Sequence, residues 1–93
     1  MGLMYTLYFT EVADADVLRW KKSGQKIVMN RISKLLADIQ EHPYIGIGKP
    51  EPLRFELAGK YSRRINDEHR IIYSIDEIHQ TITVYSLYGH YEK

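Results

Sequence analysis

A glutamate enclosed by two prolines, a group of basic residues and a histidine near the chain end have side chains that suit acid–base chemistry. The glutamate is Glu51, in the stretch GIGKPEPLR, and the histidine is His90. The basic residues of the same region are Lys49, Arg63, Arg64, His69 and Arg70. Cleavage of RNA through its own 2′-hydroxyl uses such groups: a base for the 2′-proton, cations for the phosphoryl charge and an acid for the departing 5′-oxygen.

The frame around Glu51 is stiff, because Pro50 and Pro52 restrict the backbone on both sides of it. Such a frame can hold a general base at a fixed distance from a 2′-hydroxyl. It is equally compatible with a rigid turn at a sheet edge and a solvated carboxylate. His90 has a similar alternative as a surface histidine near a terminus. The four histidines of the chain form no ligand-like pair, and the acid–base route requires no metal, so we expect no metal site and no cofactor.

Two helices are predicted ahead of these residues. Thr10 is typical of a helix cap, and the helix that follows runs from Glu11 to about Lys22 before Ser23-Gly24 interrupts the pattern. The second helix runs from Gln25 to the stop at His42-Pro43. Its apolar residues repeat at steps of three and four, at Val28, Ile32, Leu35, Leu36 and Ile39. We expect an antiparallel pair whose apolar stripes pack on a sheet.

The rest of the chain alternates with a period of two, which is typical of strands. A first strand is predicted at 5–9, ahead of the helices, and an antiparallel meander at 53–57, 61–65, 70–75 and 81–87. This arrangement predicts an α+β fold. In the third run of the meander Arg70 alternates away from Ile71 and Tyr73, and is expected on the less packed face.

Length and composition indicate one domain spanning residues 1–93, since a chain of 93 residues with 44% hydrophobic residues fills one core. The chain has no cysteine and no apolar run of about 18 residues, so a soluble, cytoplasmic protein without a membrane span is expected. The net charge is +1, but residues 49–64 are basic. Such a strip can bind phosphates or form an ordinary solvated face.

The order of several short motifs resembles the YoeB/Txe family of bacterial toxins, within the RelE/ParE superfamily. The matching stretches are GKPEPL at 48–53, YSRRI at 61–65, EHRIIY at 68–73 and the terminal His90-Tyr91. The likeness spans about Leu7 to Tyr91 and extends through Trp20 and His42-Pro43. This sequence departs from the family by several residues before the first strand, and by Glu92 and Lys93 after the terminal His-Tyr.

The resemblance implies a RelE-like fold, with two N-terminal helices packed on a twisted, mainly antiparallel sheet. It also implies a ribosome-dependent endoribonuclease toxin that cuts mRNA in the ribosomal A site, a YefM-type antitoxin as partner, and a homodimer. Carried over residue by residue, Glu51 is the general base, Arg70 stabilises the phosphoryl transition state and His90 is the general acid. Tyr91 would position substrate. Lys49, Arg63 and Arg64 would bind phosphate, with Arg64 preferred because it alternates away from its neighbours.

Other interpretations remain open from sequence. A toxin of the same fold could act by binding DNA gyrase without nuclease chemistry, although such a poison needs neither the proline-framed glutamate nor the terminal His-Tyr. The basic strip could also belong to a non-catalytic module that binds an acidic partner. Arg70 could form a structural pair with Glu68 or Asp76, and His69 is expected to hold the turn before its strand.

Overall fold

The computed structural model describes residues 4–89. Its elements follow the chain as β1 (Thr6–Phe9), α1 (Glu11–Ser23), α2 (Lys26–Glu41), β2 (Glu51–Pro52), a 3-10 turn (Phe55–Leu57), β3 (Lys60–Arg64), β4 (Arg70–Asp76) and β5 (Thr81–Ser86). The described strands form one sheet in the order β1-β5-β4-β3-β2, in which β1 and β5 are parallel and the other neighbours antiparallel. The predicted α+β fold is confirmed. No helix within residues 4–89 is both long and apolar enough to cross a bilayer.

Local signals define the first helix as predicted. The Thr10 hydroxyl accepts a hydrogen bond from the Ala13 N–H at 3.1 Å, which satisfies one of the free donors at the start of α1. The helix ends at Gly24, whose φ of 70° lies in the left-handed region that glycine adopts without a steric penalty. This glycine separates α1 from α2 and lets both helices pack on the same sheet.

The core lies between the two helices and one face of the sheet. From the helices it takes Ala13, Trp20, Ile32, Leu35 and Ile39, and from the sheet and its margins Ile65, Ile71, Tyr73, Ile82, Val84 and Leu87. Tyr73 and Val84 are cross-strand partners within this core, and Ile82 pairs with Ile75, which packs against it. Because side chains alternate along a strand, the residues between them lie on the opposite face.

One predicted strand is wrong. Residues 53–57 form a turn, in which the Leu57 and Ala58 N–H groups donate to the carbonyls of Arg54 and Phe55. Phe55 has a φ of 59°, which is incompatible with a strand. The short strand lies instead at Glu51–Pro52, just ahead of the predicted run. Proline is tolerated there because β2 is an edge strand.

The turn after β4 is tied to two distant parts of the chain by Glu77. Its carboxylate accepts hydrogen bonds from the hydroxyl of Tyr44, in the loop after α2, and from that of Tyr5 at 2.7 Å. The hydrogen bond from Tyr44, and then that from Tyr5, lowers the pKa of Glu77. The same bond to Glu77 raises the pKa of Tyr44. The ionised form of this exposed carboxylate therefore stabilises the folded state.

Candidate active site

The loop between α2 and β2 is built around the buried guanidinium of Arg63. This side chain has no exposed surface, and all five of its N–H donors are used. Its acceptors are the Asp38 carboxylate at 2.5 Å, the Tyr73 hydroxyl at 3.1 Å and the carbonyls of His42, Ile45 and Ile47. The loop that leads to Glu51 is therefore fastened to β3 from the inside.

Tyr73 completes this anchor. Burial raises the pKa of its hydroxyl, so the neutral phenol can both accept from Arg63 and donate to the Pro43 carbonyl at 2.6 Å. The Asp38 carboxylate also accepts from the Ile47 N–H at 3.1 Å. These buried polar groups are mutually satisfied, which is the condition under which a polar network rigidifies a fold.

Arg63 does not have the role predicted from sequence, where it was grouped with the phosphate-binding residues. Its guanidinium lies in the interior and has no donor left for a substrate. Tyr61 and Arg63 alternate onto one face of β3, and the pairing of Arg63 with Ile71 of the core makes that face the inner one. The error came from the usual exposure of arginine, which pairing with a half-buried carboxylate can reverse.

Two glycines let the loop approach this anchor. A Cβ atom on Gly46 would lie 1.9 Å from an Asp38 carboxylate oxygen, and one on Gly48 would lie 2.6 Å from a Leu35 methyl carbon. Both glycines also have positive φ, 133° and 80°. The stretch GIGKPEPLR thus combines two glycines that fit against the core with two prolines that stiffen the backbone after them, and Glu51 lies between those prolines.

Glu51 lies on the face of the sheet that points away from the helices. Its cross-strand partner is Ser62, and directly paired residues share a face. We call this surface the open face: it comprises Glu51 of β2, Lys60, Ser62 and Arg64 of β3, and Arg70, Ile72 and Ser74 of β4. The Glu51 side chain is exposed. Arg64 is its diagonal neighbour across the strands, at a typical separation of about 7–8 Å.

Arg64 and Arg70 are direct cross-strand partners on the open face. Paired positions have Cβ atoms about 5 Å apart, and like charges placed so destabilise a sheet. Among the described residues neither guanidinium has a carboxylate within salt-bridge distance. Two arginines at this spacing can together bind an anion with several oxygen atoms, such as a phosphodiester.

Arg70 is held from one side. Its Nη1 donates to the carbonyls of Asn66 at 2.6 Å and His69 at 3.1 Å. The structural pair with Glu68 or Asp76 is not formed, and Asp76 instead binds His79 at 2.8 Å. Within residues 4–89 the remaining N–H groups of Arg70 carry no other hydrogen bond, so they can bind a ligand.

Lys49 lies at the margin of the same region. It is exposed and has a φ of 52°, which is uncommon for a residue other than glycine. The carbonyl of the preceding Gly48 accepts a hydrogen bond from the Arg64 N–H at 2.6 Å. The lysine therefore starts from backbone that is fixed beside Arg64, and its long side chain can reach toward the open face.

His90 and Tyr91 lie outside the described residues. The chain that leads to them is defined as far as Gly89. The Gly89 carbonyl accepts a hydrogen bond from the Arg70 N–H at 2.8 Å. The last described residue is thus adjacent to Arg70, and the open face brings Glu51, Arg64 and Arg70 into one region beside it.

Asp38 and Tyr73 were not identified as site-forming residues from sequence. Asp38 is one polar residue of α2 and lies 25 positions from Arg63, so no local spacing signals the pair. Tyr73 alternates away from Arg70 in its strand and is fully buried, but the contacts of its hydroxyl depend on the complete fold.

The chain is similar to known bacterial toxins over most of its length. Residues 9–91 match the family model described as YoeB-like toxin of bacterial type II toxin-antitoxin system. Toxin YoeB of Synechocystis is 41% identical over 85 residues, which cover 91% of this chain and 95% of that protein. A solved YoeB/ParE toxin from Agrobacterium tumefaciens superposes with a TM-score of 0.86 at 32% identity, covering 92% of this chain and 99% of the other.

Two solved structures from Staphylococcus aureus are also similar, each at 36% identity. The YoeB chain of a YoeB-YefM complex has a TM-score of 0.79 and covers 94% of this chain and 98% of its own. A YoeB dimer has a TM-score of 0.80, with 95% and 99% covered. The expected RelE-like fold is confirmed.

Proposed function

Because the chain belongs to the YoeB-like toxins of bacterial type II toxin–antitoxin systems, we propose that it is an endoribonuclease that cuts mRNA in the ribosomal A site. The observation that carries the proposal is the open face, where Glu51 lies diagonal to Arg64 and one strand further from Arg70. A carboxylate beside two paired cations matches a 2′-hydroxyl beside its phosphate. The other interpretations, a gyrase poison or a binding module, give no reason for this geometry.

In the proposed reaction Glu51 removes the proton from the 2′-hydroxyl, and the 2′-oxygen attacks the adjacent phosphorus. Arg70 and Arg64 stabilise the charge that accumulates on the phosphoryl oxygens, with Lys49 drawing the RNA backbone toward them. The bond to the 5′-oxygen breaks, and His90 donates a proton to that oxygen. The products are a 2′,3′-cyclic phosphate and a free 5′-hydroxyl. Tyr91 is assigned to substrate positioning.

The proposed partners follow from the solved relatives. YoeB of Staphylococcus aureus has been solved with YefM and as a dimer, so we assign a YefM-type antitoxin and a homodimer to this chain. The antitoxin would cover the open face with an acidic segment that folds on binding. The substrate is ribosome-bound mRNA, and the site of action is the cytoplasm.

The test uses purified variants in a bacterial translation extract, with cleavage sites mapped by primer extension. Glu51→Gln, Arg70→Ala and His90→Gln should each fold and lose cleavage, by about 10²–10⁴ for the two acid–base residues. Glu41→Gln and Lys34→Ala are matched controls, because both residues are exposed on α2, away from the open face. Full cleavage by all three site variants would refute the proposal. Inhibition of gyrase supercoiling without mRNA cleavage would favour the gyrase poison.

A further inference from the structure

Leu87 and Tyr88, the two residues after β5, are both tied to α1. The Leu87 N–H donates to the Asp16 carboxylate at 2.9 Å, and the Leu87 carbonyl accepts from the indole N–H of Trp20 at 2.7 Å. The Arg19 guanidinium lies 3.5 Å from the centre of the Tyr88 ring. This segment is therefore fixed to the helix layer before it reaches the sheet again.

At Gly89 the attachment passes to the first residues of β4. The Gly89 N–H donates to Nδ1 of His69 at 2.8 Å, and its carbonyl accepts from the Arg70 N–H at 2.8 Å. Both backbone polar groups of Gly89 are thus held by two consecutive residues. Gly89 has a φ of 78°, so the chain turns here in a conformation that favours glycine.

The hydrogen bond from Gly89 defines which ring nitrogen of His69 carries the proton. Nδ1 must carry a free lone pair to accept from an N–H, so the ring is neutral with its proton on Nε2. The ring is also packed edge-on to Trp20, with centroids 4.9 Å apart, and lies 4.3 Å from the ring of Tyr88. These aromatic contacts fix the plane of the imidazole and aim Nδ1 at Gly89.

We propose that His69 is a positioning residue for the general acid. It fixes Gly89 beside Arg70, and His90 is the next residue in the chain. The inference rests on the proposed nuclease function. It differs from the expected role of His69 as a turn former, because the Asn66 side chain already fills that role by accepting from the N–H groups of Glu68 and His69. The imidazole itself reaches 20 positions along the chain to Gly89.

A positioning role predicts a specific division of kinetic effects. Phosphate binding depends on Arg64 and Arg70, so KM for ribosome-bound mRNA should change little when the Nδ1 acceptor is lost. Proton donation to the 5′-oxygen depends on the placement of His90, so kcat should fall. Misplacement of a reacting group by about 1 Å can reduce a rate by about 100-fold.

The test compares His69→Phe, which keeps an aromatic ring but removes the acceptor, with His69→Asn, whose Oδ1 can accept at the Nδ1 position. We expect His69→Phe to lose kcat by about 10- to 100-fold at an unchanged KM, and His69→Asn to recover most of it. An independent readout is the backbone amide of Gly89 in a ¹⁵N NMR spectrum. It should exchange slowly with solvent in the wild type and in His69→Asn, and faster in His69→Phe.

Wild-type kcat in His69→Phe would overturn the proposal, and so would identical exchange rates for Gly89 in the wild type and His69→Phe. Should His69→Phe fail to fold, the ¹⁵N shift of Nδ1 in the wild type gives a direct answer, because a protonated Nδ1 cannot accept from Gly89. A wild-type protein that cuts no mRNA would refute the proposed function instead. The exchange rate of the Gly89 amide would then still decide whether His69 holds this part of the chain.

Discussion

Replacing Arg63 by lysine separates a structural anchor from a phosphate-binding residue. Lysine keeps the positive charge but has three donors in place of five and no planar fork. It can remain paired with Asp38, yet it cannot also satisfy the carbonyls of His42, Ile45 and Ile47 that the guanidinium binds. These carbonyls belong to exposed residues, and water can replace some of the lost bonds.

The expected magnitude follows from the groups left behind. One or two buried acceptors without a partner cost about 1–3 kcal/mol in total after partial rehydration. Complete removal of the charge, in Arg63→Met, also leaves Asp38 without its partner, and breaking such a buried pair costs about 3–5 kcal/mol. The Asp38 side chain is 22% exposed, so the lower end of that range applies. Both losses are large beside a total stability of about 5–10 kcal/mol for a chain of this size.

Urea unfolding measures these differences directly, with Arg64→Lys as the matched control. Arg64 is the next residue in the chain and lies on the open face, so its conservative replacement should change stability by less than about 0.5 kcal/mol. Cleavage by Arg63→Lys should also fall, because the loop before Glu51 loses its anchor. An unfolding free energy for Arg63→Lys equal to that of the wild type, combined with a raised KM, would refute the anchor and restore a role in phosphate binding.

Two further predictions concern charges that the fold holds in place. Arg64→Gln should stabilise the protein by about 0.2–1 kcal/mol, because it removes the repulsion between Arg64 and its cross-strand partner Arg70. It should also slow mRNA cleavage. The gain in stability should shrink at high salt, and equal urea-unfolding midpoints for the two proteins at low salt would contradict the prediction. Glu77→Gln tests the tyrosine-bound carboxylate: its folded pKa is lowered from 4.5, so the wild type's advantage should be present above pH 4.5 and be lost as the pH falls through the folded pKa. A stability difference between the two proteins that does not vary with pH, measured by urea unfolding, would contradict this second prediction.

Much of the fold could be predicted because the patterns that specify it are local. The apolar repeat of α2 and the alternation in β3, β4 and β5 depend on neighbours in the chain, and these elements lie where they were predicted to within a few residues. The strand predicted at 53–57 was wrong because the apolar residues there alternate as in a strand but form a turn. Its conformation is set by the left-handed φ of Phe55 and by the Leu53 N–H bond to the Lys60 carbonyl. Neither feature leaves a pattern in the sequence.

For the candidate site, the sequence predicted the reactive residues but not the residues that position them. Glu51, Arg64 and Arg70 were identified by residue type and motif, and strand register brings them to one face. The residues that hold them in place were missed or misassigned, because each acts through a partner distant in sequence. Asp38 binds Arg63, and His69 binds Gly89. Local patterns report which face a residue occupies, whereas such contacts depend on the complete fold.

The adjacent residues Arg63 and Arg64 show how the anchor also determines the chemistry of the open face. Their side chains point to opposite faces of β3, so a slip of one residue in register would exchange them. Arg64 would then enter the core without the alignment that Arg63 has with Asp38, and Arg63 would face solvent with none of its five acceptors. The slipped register would lose each of these buried guanidinium contacts, so its free energy would be higher than that of the observed register. The interaction that stabilises the interior thus also determines which arginine pairs with Arg70 on the open face.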